Sequence, residues 1–139
     1  MIYRRRIQVE FNHCDPAGIV FYPRYFEMLN SVIENFFAEV LSYSFARIHI
    51  DEGCAVPTVK IDTDFRAPSR LGEVLDFTLE VEHVGGSSLR LAQVVSVDGQ
   101  VKLEHRSTIV WVGRDGKAAG WPGIIRDKII EFKETRDGA

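Results

Sequence analysis

Asp15 stands in the run Glu10-Phe11-Asn12-His13-Cys14-Asp15-Pro16-Ala17-Gly18-Ile19-Val20-Phe21-Tyr22-Pro23, a tight-turn sequence that feeds directly into a helical pattern. A carboxylate and a helix start this close together can flank one carbonyl group. The carboxylate, or a water it orients, attacks the carbon, while the donor-rich, partly positive helix end near Tyr22 polarises the oxygen. The residue types alone leave a plainer reading open. Asp-Pro-x-Gly is a favourable turn in any chain, with Asp accepting a local backbone hydrogen bond and Pro fixing its own φ. Gly18 serves both readings, since either loop needs positive φ or a close approach to the backbone.

No other side chains form a competing centre. Cys14 and Cys54 make neither a CxxC pair nor a metal-ligand spacing, which suits free thiols in a reducing compartment. A carboxylate beside Cys14 would raise a thiol pKa, which argues against a cysteine nucleophile. His13, His49, His83 and His105 lack HxxxH or HxxEH spacing, so neither a metal site nor a cofactor is expected. His13 adjoins the Asp15 loop and reads as a polar strand-end residue. The formal charge of -3 argues against a nucleic-acid partner, and the one basic run, Arg4-Arg5-Arg6, reads as the guarded face and end of a first strand. No apolar stretch is long enough to cross a bilayer, and Met1-Ile2-Tyr3-Arg4 lacks the apolar core of a secretory signal. A cytoplasmic protein with no membrane partner is the expectation.

The elements that must position Asp15 follow from periodicity. Ile7, Val9 and Phe11 alternate with Gln8 and Glu10, predicting a half-buried strand that ends at the loop 13–21. Met28, Leu29, Val32, Ile33, Phe36, Phe37 and Val40 then recur at three- and four-residue steps, predicting a long helix that opens at Pro23 and fades after Leu41. A short helical piece is expected at Phe45 to His49, closed by Gly53. Four β-rich runs follow, at 58–65, 74–84, 89–97 and 101–112, with turn signals at Gly85-Gly86, Asp98-Gly99 and Asp115-Gly116. A short C-terminal helix is expected after Trp121-Pro122-Gly123, with a charged end, Lys133 to Ala139, that frays. At 139 residues and 45% hydrophobic composition the chain reads as one domain, 1–139, without repeats or linkers. One strand, one greasy helix and four largely antiparallel strands predict an α+β fold, a curved five-stranded sheet wrapped around a central helix.

The order Asp15-Pro16-Ala17-Gly18-Ile19-Val20, an aromatic residue, then Tyr22-Pro23 resembles the signature loop of the 4-hydroxybenzoyl-CoA thioesterase family of hotdog-fold proteins. The likeness extends over nearly the whole chain, including Val56-Pro57-Thr58-Val59 and the connection from Phe65 to Gly72. It implies that Asp15 is the catalytic carboxylate, acting as nucleophile on a thioester or as general base for water, and that the backbone N–H of Tyr22 holds the oxyanion. Such chemistry needs little general acid, because a thiol with a pKa of about 8.5 is a ready leaving group. Tyr at position 22, where some relatives carry His, is the form seen in the hydroxybenzoyl-type enzymes.

The turn Gly85-Gly86-Ser87-Ser88 aligns with the one that contacts the nucleotide end of CoA in the family, making Ser87, Ser88 and Arg90 candidate substrate-binding residues. Some members carry basic residues just before the serine, and this chain has glycines there. The resemblance also implies a homodimer or homotetramer formed by edge-to-edge pairing, with active sites at the interface. The implied activity is hydrolysis of aryl or short-chain acyl-CoA. A thioesterase acting on acyl carrier protein and a non-catalytic acyl-CoA-binding protein stand as the alternatives.

Overall fold

The computed structural model describes residues 1–135; the expected frayed end at 136–139 lies outside the described residues. Five strands, β1 (Tyr3–Gln8), β2 (Thr58–Phe65), β3 (Val74–Val84), β4 (Ser88–Val97) and β5 (Gln100–Val110), form one antiparallel sheet in the order β1-β3-β4-β5-β2. Helix α1 (Pro23–Glu39) lies on its inner face, and α2 (Gly123–Glu134) follows the last strand. This is the predicted α+β architecture.

The helix forms where the apolar stripe lies. Tyr25, Met28, Leu29, Val32, Ile33, Phe36 and Phe37 are all buried, facing Leu75, Phe77 and Leu79 of β3, Leu89 and Leu91 of β4 and Leu103 of β5. Fully burying each such side chain contributes about 1.5–3 kcal/mol, far more than propensity differences of a few tenths within the helix. Pro23 occupies the first turn, where its missing N–H costs no bond. The helix closes as Ser42 turns to φ 53 and Tyr43 N–H reaches Phe37 O at 3.0 Å. Phe132 of α2 and Tyr3 of β1 both pack edge-on against Phe36, with ring centroids at 5.0 and 5.7 Å. The Tyr3 hydroxyl donates to Glu39 at 2.6 Å, and burial beside that carboxylate pushes its pKa up to about 12.

Register shifts between Val81 and His83, Val95 and Ser96, and Thr58 and Lys60 bend the strands around the helix. The Asp98-Gly99 turn takes positive φ at both residues, 49° and 81°, as a two-residue hairpin between twisted strands requires. The predicted short helix spans residues 45–51, with Arg47–Asp51 wound as a π-turn, and stops at Gly53 in the left-handed region.

Two predicted strands differ: β5 runs from Gln100 to Val110 rather than over 101–112, and the first strand is displaced towards the N-terminus. β1 begins at Tyr3, and Phe11 lies outside it in a 3-10 turn, 84% exposed. The alternation Ile7, Val9 is real, but Glu10 N–H finds His13 Nδ1 at 2.9 Å and His13 N–H finds Glu10 O at 3.0 Å. These local bonds turn the chain away from the sheet before Phe11 can pair.

The two sheet edges differ in chemistry. β1 carries Arg4, Arg5 and Arg6, with Arg6 paired to Asp76 at 2.8 Å. β2 leaves Val59, Ile61 and Phe65 at least half exposed, and among the described residues no strand pairs with its outer side. A charged edge discourages pairing and an apolar edge invites it.

Candidate functional site

The loop 13–21 is a miniature hairpin. Cys14 bridges Val20, Asp15 N–H donates to Ile19 O at 2.9 Å, and Phe21 N–H donates to His13 O at 2.9 Å. Val20 N–H donates to Ser69 O and Leu71 N–H to Gly18 O, tying the hairpin to the connection ahead of β3. Gly18 has φ +78°, with nothing within 4 Å of where a Cβ would stand, so backbone conformation alone calls for glycine there.

Asp15 is half-buried. Its Oδ1 accepts the Ala17 N–H at 2.8 Å, the turn bond anticipated from Asp-Pro-x-Gly. That bond orients the carboxylate while Oδ2 has no protein partner among the described residues. The turn role and a chemical role are therefore compatible in one side chain.

Tyr22 precedes the first residue of α1, with φ -52° and ψ -34°. Tyr22 O accepts from Tyr25 N–H and Phe21 O from Arg24 N–H, whereas Tyr22 N–H has no acceptor among the described residues. It is an open donor at the positive end of a seventeen-residue helix. The side chain is 60% exposed and packs against Phe21 and Phe65. Tyr25, one turn on, is buried, and its hydroxyl donates to Ser69 Oγ at 2.8 Å, with burial raising its pKa. This contact fastens the helix start to the same connection that anchors the Asp15 hairpin. His13 is engaged with Glu10 in its own turn.

Asp15, Gly18 and Tyr22 thus share one end of the molecule. Ser87, Ser88 and Arg90 do not join them. They follow the far end of the eleven-residue β3, roughly 30–35 Å away along the strand. The glycine turn is tied down there. Trp121 donates its backbone N–H to Gly86 O and its indole N–H to Ser88 O, and the Arg126 guanidinium donates to Gly85 O at 2.8 Å. Arg90 points from the outer sheet face into a depression that Lys60, Arg106 and Thr108 also line.

Two features escaped the sequence reading. Phe65, at the end of β2, gathers Tyr22, Tyr25 and Phe26 around itself with ring centroids at 6.0–6.3 Å. Beyond it, a groove between α1 and the β5-β2 edge is lined by Phe26, Asn30, Ile61, His105 and Ser107. The signal for the groove was available, because His105 and Ser107 alternate with outward residues in phase with Leu103 and Ile109, placing two polar side chains on an apolar face.

His105 is buried, with Thr63 Oγ1 at 2.7 Å from Nδ1 and the Phe26 ring at 5.9 Å. Burial lowers its pKa, against a weaker pull upward from Asp62. A histidine whose folded pKa lies below its unfolded value of about 6.5 stabilises the fold above that pH. The contribution is lost as pH falls from there through the folded pKa. The melting temperature of the wild type is therefore expected to drop more steeply than that of His105→Gln as pH is lowered from 7 towards 5. Parallel melting curves for the two proteins would contradict this.

A family model described as the thioesterase-like superfamily matches residues 9–132. No curated protein sequence matches the chain. Among solved structures, the fold superposes on a 1,4-dihydroxy-2-naphthoyl-CoA thioesterase from Synechocystis with a TM-score of 0.87 at 20% identity, covering 97% of this chain and 100% of that one. It superposes on the 4-hydroxybenzoyl-CoA thioesterase of Pseudomonas sp. strain CBS-3 with a TM-score of 0.83 at 23% identity, covering 91% and 98%. A Staphylococcus aureus protein solved in complex with CoA gives a TM-score of 0.91 at 12% identity, covering 100% and 88%. These likenesses establish the hotdog fold.

Proposed function

The chain belongs to the thioesterase-like superfamily, and from that premise we propose that it hydrolyses acyl-CoA thioesters with Asp15 as the catalytic carboxylate and the Tyr22 N–H as the oxyanion donor. The observation that carries this reading is the pairing, at one end of the molecule, of a carboxylate oxygen and a helix-start N–H that both lack protein partners among the described residues.

The thioester oxygen accepts the Tyr22 N–H, which strengthens as the carbonyl carbon becomes tetrahedral and the oxygen gains charge. Asp15 either adds to that carbon, giving an acyl anhydride that water then cleaves, or takes a proton from the water that adds. In both routes the carbon–sulfur bond breaks with its electron pair on sulfur, and the thiolate leaves and is protonated. The expected acyl group is aryl or short-chain.

The substrate-binding role of Gly18 is backbone approach at the loop. For Ser87, Ser88 and Arg90 the role requires a second protomer. β2 runs from Thr58, in the same row as Ile109 and Leu89, to Phe65 beside the helix start. A two-fold axis at the β2 edge would set its Phe65 end against the partner's Thr58 end, bringing the partner's Ser87 and Arg90 to roughly 14 Å, three strand spacings away. A homodimer, with a homotetramer built from it, is the proposed assembly. Sedimentation equilibrium should give at least a dimer at micromolar concentration, and a monomer under these conditions would remove the shared cleft.

Glycines at 85 and 86, where phosphate-binding side chains are expected, favour a second reading in which acyl carrier protein presents the thioester. Thiol release from a panel of acyl-CoAs and matched carrier-protein thioesters at equal concentration tests both. Faster release from CoA supports the leading reading, faster release from the carrier the second, and release from neither rejects hydrolysis.

A further inference from the structure

Residues 66–73, the connection between β2 and β3, carry the loop that presents Asp15. Val20 N–H donates to Ser69 O at 2.9 Å, Leu71 N–H donates to Gly18 O at 3.0 Å, and Ile19 bridges Arg70, so the Asp15 hairpin hangs on Ser69, Arg70 and Leu71. The Tyr25 hydroxyl, on the first turn of α1, reaches the fully buried side chain of the same Ser69. The helix is fixed by its buried stripe and serves as the reference. Movement of the connection therefore displaces Asp15 relative to the Tyr22 N–H.

One lysine grips that connection. Lys102 Nζ, on a side chain 8% exposed, donates to Pro68 O at 3.0 Å and to Gln100 Oε1 at 3.2 Å, with Glu73 Oε2 at 3.9 Å. Its main-chain oxygen accepts the N–H groups of Arg66 and Ala67, at 2.9 and 3.2 Å. Pro68 has no N–H, so its carbonyl is the one main-chain group it offers, and the ammonium takes it. The other oxygen of Glu73 accepts the Arg70 N–H at 2.6 Å, which closes the far end of the connection. Lys102 thus holds Arg66, Ala67 and Pro68, immediately ahead of the three residues that carry the hairpin.

The strand is irregular where this lysine stands. The β4-β5 register steps from Leu103 opposite Val95 to Val101 opposite Ser96, leaving Lys102 as the extra residue of a bulge. Lys102 and Leu103 are buried in succession, where a regular strand with one covered face would bury only one of the two. Taking an ammonium out of water is unfavourable, and a methionine at 102 would fill similar volume without that cost. What the ammonium adds is its set of bonds to the connection.

We propose that Lys102 is a positioning residue for the site: through Pro68 and Glu73 it locks the connection 66–73 and so holds the Asp15 carboxylate in place against the Tyr22 N–H. Lys102 has no hydrogen bond to either group among the described residues, and its effect on rate passes through Asp15. That effect on rate rests on the hydrolase reading above. The mechanical coupling of Lys102 to the loop is independent of it.

The test pairs two variants with two readouts. Lys102→Met removes the ammonium at similar length, and Glu73→Gln keeps an acceptor for the Arg70 N–H while removing the charge opposite Lys102. Turnover of an acyl-CoA is read against Kd for a non-hydrolysable CoA thioether. Hydrogen exchange is read at the Val20 and Leu71 amides, which bond across the junction of loop and connection. Lys102→Met is expected to lower kcat ~10–100-fold with Kd changed less than ~3-fold. Exchange at Val20 and Leu71 should quicken at least ~10-fold while amides in the middle of β4 keep the wild-type rate. In the Asp15→Asn background the same substitution should cost less than ~3-fold in kcat, because the group it positions is gone. Glu73→Gln should move both readouts in the same direction by ~3-fold or more, and it decides the matter if Lys102→Met does not fold. Unchanged rate and exchange, a rate loss of full size in the Asp15→Asn background, or exchange that rises equally across the sheet overturns the inference, the last because it marks a general loss of stability. A local exchange response in a protein without turnover would remove the hydrolase reading and leave the coupling standing. Turnover in wild type, with rate and exchange indifferent to both substitutions, would do the reverse.

Discussion

Asp15→Asn is expected to lower kcat for thioester hydrolysis by about a thousandfold or more while leaving the fold and substrate affinity nearly intact. The asparagine oxygen can still accept the Ala17 N–H, so the turn that shapes the loop survives the change. What disappears is the negative charge on the oxygen that has no protein partner, and with it either the nucleophile or the proton acceptor. Loss of general-base catalysis alone is worth a factor of about 10²–10⁴. Thiol release read against Kd for a non-hydrolysable CoA thioether separates the two contributions. A kcat within tenfold of wild type would mean that another group attacks the carbonyl. Asp15→Ala provides the comparison, since it removes the charge and the turn bond together and should add a stability loss of roughly 1 kcal/mol.

Much of the scaffold was readable from residue order, because long periodic segments leave little choice. The stripe from Met28 to Phe37 could bury its apolar residues only as a helix, and it does. The strands at 58–65 and 74–84 were bounded by turn signals and match residue for residue. Phe11 was misplaced because alternation cannot reveal a local competitor such as the Glu10–His13 bond.

The candidate site was a different matter. Residue types alone read Asp15 as a turn, and the turn bond is indeed there; only the match of the flanking loop to a known family raised the chemical reading. No spacing rule could show that Ser87, Ser88 and Arg90 fall at the far end of β3, since that follows from strand order. Buried Gln93 and Ser107 were visible in principle, as each interrupts an alternating apolar face, but that Gln93 Oε1 and Ser107 Oγ lack partners among the described residues was not.

The role of the helix start can be separated from that of the side chain beside it. Tyr22 has φ -52°, within the range that proline imposes, and its N–H makes no bond to protein among the described residues. Tyr22→Pro therefore deletes one hydrogen-bond donor at a backbone angle the ring accepts, whereas Tyr22→Ala keeps the donor and deletes the aromatic contacts to Phe21 and Phe65. If the amide holds the developing oxyanion, the proline variant should lose about 10²–10³ in kcat with KM changed only a few-fold, the signature of an interaction made chiefly in the transition state. The alanine variant should stay within roughly fivefold of wild type, because exposed aromatic contacts contribute little to the transition state. Melting curves establish that both variants are folded. The reverse order, with alanine far slower than proline, would assign the oxyanion to a side-chain contact and take the helix start out of the chemistry.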